Sequence, residues 1–273
     1  GGGAIGRKVL EGAAAHLTPV TLELGGKSPA LVLEGADLTV SARRLIWGKG
    51  LNAGQTCIAP DHLIVQPGLK AELLKAMDSA RTEMYGTDPL ASEQLACIVN
   101  DRQFQRLEAL LGQAQHAGRV LIGGEINCDQ RRIAPTVIRV DDRQDPLMAD
   151  ELFGPLLPVL ELADLPQTLA EIRQGPKPLA LYLFGGNEAQ QQQVLETTSS
   201  GGVCLNDVVM QAGVPDLPFG GVGGSGMGSY HGQAGFDTFS HAKAVLRRPF
   251  RLDFKLRYPP YGIDLNLLRR LAG

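Results

Sequence analysis

Eighteen or more consecutive apolar residues occur nowhere in the chain, so no helix is expected to span a membrane. Basic charge is not in excess either. With 26 Lys and Arg against 29 Asp and Glu, the net charge is −3, which gives no electrostatic reason to expect a nucleic-acid partner. Cysteine is sparse: Cys57, Cys97, Cys128 and Cys204 form no Cys-x-x-Cys pair, so neither a zinc site nor a redox dithiol is suggested. The five histidines are scattered without His-x-x-x-His spacing, and no metal site is expected from them. The first residues, Gly1-Gly2-Gly3-Ala4, lack the basic and apolar regions of a secretory signal. Together with the scattered thiols, this makes a reduced, cytoplasmic setting the expectation. What remains is a composition 44% hydrophobic and 20% charged, that of a globular chain able to build one large or two modest cores.

Two short segments stand out from this background. Leu22-Glu23-Leu24-Gly25-Gly26-Lys27-Ser28-Pro29 carries a carboxylate out of an apolar extended stretch, Pro19 to Leu22, into a Gly-Gly turn. Glu23 is therefore expected at the carboxyl edge of a sheet, where α/β folds place ligands. Gly54-Gln55-Thr56-Cys57 follows a helical stretch and precedes Pro60, which places the thiol in a loop with stiff neighbours. Most cysteines are small buried packing residues, and that reading is kept for the other three. The pairing of Glu23 with Cys57 suggests a base and a nucleophile.

The remaining chain alternates. Helical periodicity is read over Arg7–Leu17, from Asp37 as cap through about Leu51, and over Lys70–Met84, Arg102–Ala117, Leu165–Arg173 and Glu188–Thr198. Strands are expected over Ala30–Leu33, His62–Val65, Val120–Ile122, Thr136–Val140, Leu156–Leu162, Leu179–Phe184 and Gly202–Leu205. Such alternation implies an α/β fold with a mostly parallel sheet covered on both faces. After Asn206 come Gly-rich loops, and from Lys243 onward eight Lys or Arg face only Asp253 and Asp264. That dispersed basic tail reads as solvated or intersubunit, with contact to acidic lipid as the alternative. Gly1-Gly2-Gly3-Ala4-Ile5-Gly6 satisfies G-x-G-x-x-G, but no strand precedes it, so alone it is weak evidence for a dinucleotide site.

The two segments, Leu22–Pro29 and Leu51–Asp61, resemble the glutamate and cysteine signatures of the aldehyde dehydrogenase superfamily. Glu151-Leu152-Phe153-Gly154-Pro155 is similar to that family's cofactor-ribose motif, and Pro218-Phe219-Gly220-Gly221 to its late active-site loop. The resemblance runs from Gly1 to about Pro260, and its later segments look like the branch of fatty and medium-chain aldehyde dehydrogenases, which is often dimeric. It implies a catalytic domain over residues 26–224, preceded by the end of a Rossmann-type cofactor domain over 1–25 and followed by a tail over 225–273 that makes oligomer or interdomain contacts. The chain would then begin partway through the cofactor domain.

The resemblance also implies the chemistry. Cys57 attacks an aldehyde, its own N–H helps hold the oxyanion, hydride passes to NAD or NADP, and Glu23 activates the water that hydrolyses the thioester. Relatives that acylate coenzyme A generally lack the glutamate, so Glu23 points to release as carboxylate. Glu151 is expected to bond the nicotinamide ribose, Phe153 to pack against the nicotinamide, and Gly1, Gly6, Leu24 and Gly25 to contribute to the cofactor site. Phe219 is either a pocket wall or ordinary core. Gln211 stands where branch members often carry histidine. An aldehyde substrate and a homodimer of the complete protein are the implied partners; the rival reading is a non-catalytic scaffold or interaction protein that retained the fold.

Overall fold

The computed structural model describes residues 1–251, 253–261 and 264–271, and two units are distinct in it, Gly1–Phe239 and Ser240–Gly273. The first begins with α1 (Gly3–Ala14) and β1 (Leu22–Glu23), then β2 (Pro29–Val32) and α2 (Leu38–Gly50). Asp37 caps α2 by accepting from the Val40 N–H at 2.9 Å, and its expected stripe of Leu38, Ala42, Leu45 and Ile46 is buried. β3 (His62–Val65), α3 (Lys70–Tyr85) and α4 (Asp101–His116) follow, the last capped by Asn100 through the Gln103 N–H.

Short pieces come next: β4 (Val120–Ile122), β5 (Ile126–Asn127), β6 (Arg132–Ile133), β7 (Thr136–Arg139) and the single turn α5 (Pro146–Ala149). Of these, β5, β6 and α5 are too short to leave a periodic trace in the sequence. β8 (Leu156–Glu161), α6 (Leu165–Gln174), β9 (Ala180–Phe184), α7 (Glu188–Thr197) and β10 (Gly202–Leu205) restore the alternation, and β11 (Gly226–Met227) and α8 (Gly232–Thr238) complete the unit. In the second unit, the expected want of periodicity up to Leu265 agrees with the described residues, which form one 3₁₀ turn over Lys255–Arg257 before α9 (Leu265–Leu271).

The main sheet has the order β10-β9-β2-β3-β8-β7-β4, parallel throughout except for β4 against β7. Alternate residues divide its two faces as a pleated strand requires. Leu31, Leu33, Ile64, Leu181 and Leu183 pack with Leu165, Leu169 and Ile172 of α6 and Val194 of α7. On the other face Ala30, Val32, Leu63, Val65, Tyr182 and Phe184 join the larger core under α2, α3 and α4.

One expectation about placement needs correction. The strand leading to Glu23 is only β1, and it pairs antiparallel with β11 in a separate two-stranded sheet. Glu23 does not stand at the carboxyl edge of the main sheet. The segments carrying Glu23, Cys57 and Glu151 each lead into a main-sheet strand, β2, β3 and β8 respectively, so the site gathers at the amino ends of these strands. The carboxyl-edge rule describes crevices of open sheets at a topological switch point; here the Gly25-Gly26 turn and the loop after α2 are the segments that come together.

Candidate active site

The cysteine loop is built on unusual backbone. Asn52 and Ala53 take φ of 52° and 53°, and Gly54 follows at 73°. For the two non-glycine residues this left-handed conformation costs about 1–3 kcal/mol each, so the surroundings must hold it. They do so at Gly54, where a side chain would strike the Gly154 carbonyl. Gln55 fastens the loop's other side: its amide donates to Cys97 O at 3.0 Å and accepts from the Val99 N–H at 2.8 Å. The Cys57 loop is thus pressed against the Glu151–Pro155 segment on one side and pinned to residues 97–99 on the other.

Glu23, Cys57, Glu151 and Phe153 line one cleft of about 870 Å³, together with Gly1, Gly2 and Gly25. Burial, then a hydrogen bond toward the Glu23 carboxylate and its charge, push the Cys57 thiol up to about 12. The resting group is therefore a thiol beside a proton acceptor; burial and the negative neighbour outweigh the favourable influence of the backbone N–H. The Glu23 Oε1 atom is buried without a hydrogen-bond partner. It is an acceptor still open to a small donor.

Glu151 is pushed up to about 7, first by burial and next by the negative charge of Asp61, against the Gly26 N–H that donates to it. Its carboxylate occupies the space where a Gly25 side chain would be, so Gly25 acts here by what it lacks. Phe153 is 39% exposed in the same cleft with φ of 45°, a left-handed backbone held between two anchored neighbours, Leu152 and Gly154.

The other expected residues are placed less directly. Leu24 is buried, its N–H donates to Ser225 O, and its side chain packs over Gly6. Gly6 lies beneath that contact, while Gly1 and Gly2 reach the cleft. Gly2 caps α1 without a side-chain hydrogen bond, and the Ile5 N–H turns back to the Gly2 carbonyl, which leaves the Gly3 and Ala4 amides of this 12-residue helix available to an anion.

Phe219 lies apart, in an apolar pocket of about 190 Å³ with Leu179, Val203, Gln211 and Leu217. Its ring stacks on His231 at 5.3 Å and meets Tyr230 edge-on at 5.6 Å. Burial and then the charges of Glu23 and Cys57 raise the Tyr230 hydroxyl, so this aromatic group lies within electrostatic reach of both. Gln211 donates to the Tyr182 hydroxyl at 3.3 Å, and that hydroxyl is bonded to Ile58 O, next to Cys57. Asn206 has a structural role: its Oδ1 accepts from the Gly185 N–H and its carbonyl from Arg44.

Sequence reasoning missed Arg102, Gln103 and Arg106, which line the cleft from the start of α4. Arg106 donates to the Leu152 carbonyl and to Gln103 Oε1. Its position on a regular amphipathic helix gave no signal. Among the described residues, no group of three or more His, Cys, Asp or Glu could hold a metal ion, and no helix is long and apolar enough to cross a membrane.

With this geometry in hand, comparison with known proteins is informative. The sequence profile described as Aldehyde dehydrogenase family matches residues 1–245. The chain is 47% identical over 258 residues to aldehyde dehydrogenase family 3 member B1 of Homo sapiens, covering 94% of this chain and 54% of that one. It is 45% identical over 262 residues to a dimeric NADP-preferring aldehyde dehydrogenase of Mus musculus, covering 95% and 57% respectively. The solved structure of the substrate-bound state of Staphylococcus aureus AldH superposes with a TM-score of 0.94 at 40% identity, over 100% of this chain and 59% of that one. The chain therefore spans little more than half the length of the curated relatives it matches. On profile, sequence identity and superposition alike, the chain belongs to the aldehyde dehydrogenase family.

Proposed function

We propose that this chain carries the covalent half of an NAD(P)-dependent oxidation of an aldehyde to a carboxylate, with Cys57 as nucleophile and Glu23 as base. The observation that carries this reading is the juxtaposition of a protonated thiol and a carboxylate that keeps one buried, unpartnered oxygen. Attack by Cys57 Sγ on the carbonyl carbon makes it tetrahedral, and the thiol proton goes to the Glu23 carboxylate. The Cys57 N–H helps hold the resulting oxyanion.

The donor set suits a nicotinamide dinucleotide. Glu151 offers acceptors for ribose hydroxyls, Phe153 a ring face, Gly25 a close approach, and Gly2 an open amide at the start of α1 beside Gly1, whose nitrogen is held by the Glu23 carbonyl. Held by Glu151, Phe153 and Gly25, NAD or NADP would supply the hydride acceptor that no side chain of the chain provides. Cys57 then holds a thioester. Once the thiol proton has passed from Glu23 to solvent, the Glu23 carboxylate takes a proton from the water that opens the thioester and returns it to the departing Cys57 sulfur, releasing the carboxylate product. Phe219, with Tyr230 and His231, walls the side of the pocket that receives the aldehyde's substituent. A homodimer of the complete protein fits the exposed Phe236 and Phe239 around α8 and the word dimeric in the mouse relative's name.

The deciding experiment uses the longest polypeptide that contains these 273 residues. Incubated with an aliphatic aldehyde and cofactor, then quenched in acid, it is expected to carry an acyl group on Cys57 by mass spectrometry. A turning-over enzyme without that adduct sinks the covalent reading.

Two further results are expected. Because the thiol sits near 12, iodoacetamide should alkylate Cys57 slowly at neutral pH without cofactor, and the rate should climb about tenfold per pH unit through pH 10. A plateau near pH 8.5 would mean an unperturbed thiol. For Glu151 the sign runs the other way in function: its group is protonated below about 7, and only the carboxylate offers both oxygens to ribose hydroxyls. Cofactor KM should fall as pH rises through about 7, and Gly25→Ala, which displaces that carboxylate, should weaken cofactor binding by about 1–3 kcal/mol at every pH. A cofactor KM indifferent to both changes removes Glu151 from the site.

A further inference from the structure

Lys27 and Asp61 lie just past the two signature residues, in the Glu23 and Cys57 segments respectively, and neither lines the catalytic cleft. They pair with each other in a nearly enclosed position, with side-chain exposures of 18% and 3%. Their other bonds converge on one stretch of backbone. Lys27 Nζ donates to the carbonyls of Leu147 at 3.0 Å and Asp150 at 2.9 Å, and Asp61 Oδ1 accepts from the Leu152 N–H at 2.8 Å. Lys49, 2% exposed at the end of α2, adds a second buried cation facing Asp61 and Glu151, so two lysines stand against two carboxylates.

An enclosed ion pair is weak ground for stability in itself, because desolvation offsets the attraction and apolar residues often serve as well. What this pair supplies is direction. Three backbone bonds fix the segment just before and after Glu151, and the ion pair ties that segment to both signature loops at once.

We infer that Lys27 and Asp61 are positioning residues for cofactor binding: their ion pair locks the segment carrying Glu151 and Phe153 onto the loops carrying Glu23 and Cys57. The inference rests on the cofactor role proposed for Glu151 and Phe153. Without the clamp, Glu151 and Phe153 lose their register with the thiol, while the thiol keeps its own supports at Gly54 and Gln55. The effect falls on cofactor binding and hydride transfer and spares the intrinsic reactivity of Cys57.

The test uses the longest polypeptide containing this chain. Lys27→Met is expected to raise cofactor KM about tenfold and slow the pre-steady-state burst by up to about 10²-fold. It should also speed hydrogen exchange of the Leu152 amide and its neighbours and leave iodoacetamide alkylation of Cys57 within about twofold of the parent. Lys27→Arg, which keeps the charge and donors, should recover part of the loss. Glu151→Gln, run in parallel, separates the two ideas. If Glu151→Gln raises cofactor KM and Lys27→Met does not, the clamp inference is overturned and the cofactor reading stands. If Glu151→Gln leaves KM unchanged, the cofactor reading fails and takes the inference with it. A uniform loss of melting temperature, burst and alkylation rate, without a selective rise in KM, marks a merely structural pair and also overturns it. Should Lys27→Met fail to fold, Asp61→Asn, near-identical in volume and still able to accept from the Leu152 N–H, is judged by the same outcomes.

Discussion

Cys57→Ala is expected to abolish both the burst of reduced cofactor and steady aldehyde oxidation, by more than about 10⁴-fold, the order lost when a covalent nucleophile is removed. The fold should scarcely register the change. Cys57 is half-buried at the margin of the larger core, its loop is held by Gly54 against Gly154 and by Gln55 against residues 97–99, and none of those contacts involves the thiol. Unfolding free energy should stay within about 1 kcal/mol of the parent. The Glu23 carboxylate remains, so the variant tests chemistry with the base in place. Near-normal dehydrogenase turnover by this variant would disprove the covalent route. Cys57→Ser should be nearly as inactive, since a hydroxyl beside Glu23 is a far poorer nucleophile than a thiol with access to the same base.

The elements that the sequence disclosed are those whose signal is local. Runs such as Ala30-Leu31-Val32-Leu33 and Leu179 to Phe184 are apolar on successive positions because both faces of a central parallel strand are covered. Asp37 marks a helix start because its side chain satisfies a first-turn amide; Asn100, Asp164 and Asn187, not singled out in the sequence, do the same for their helices. Glu23, Cys57, Glu151 and Phe153 were legible through their motifs, and they do share one cleft.

What stayed hidden depends on contacts through space. β1 and β11 are two residues each and exist because distant segments meet. The placement of the site at the amino ends of β2, β3 and β8 follows from the meeting of three loops, each unremarkable alone. Lys27 and Asp61 stood inside the quoted signatures, yet nothing in their spacing announces an ion pair that also grips Leu147, Asp150 and Leu152. The resting state of the Cys57 thiol was hidden for a related reason: the sequence shows neither the depth of burial nor the carboxylate at its side.

That carboxylate gives Glu23→Gln its diagnostic value. If the thiol proton can leave by another route once the carboxylate is gone, the variant should still form the thioester, release one equivalent of reduced cofactor, and then stall for want of a base for the water, with steady turnover down by roughly 10²–10⁴-fold. The thiol itself should become easier to ionise, because the glutamine carries no negative charge to hold it up. Iodoacetamide should therefore alkylate Cys57 at least as fast in Glu23→Gln as in the parent. These two readouts divide the roles of one side chain. A preserved burst with faster alkylation assigns Glu23 to hydrolysis, with the thiol proton able to leave by another route. A burst that collapses while alkylation accelerates shows that Glu23 must also receive the thiol proton as the aldehyde is attacked, since the thiolate would then be more available yet the productive transfer lost. A burst and steady rate both equal to the parent would strip Glu23 of either role, leaving its buried, unpartnered Oε1 without a chemical purpose.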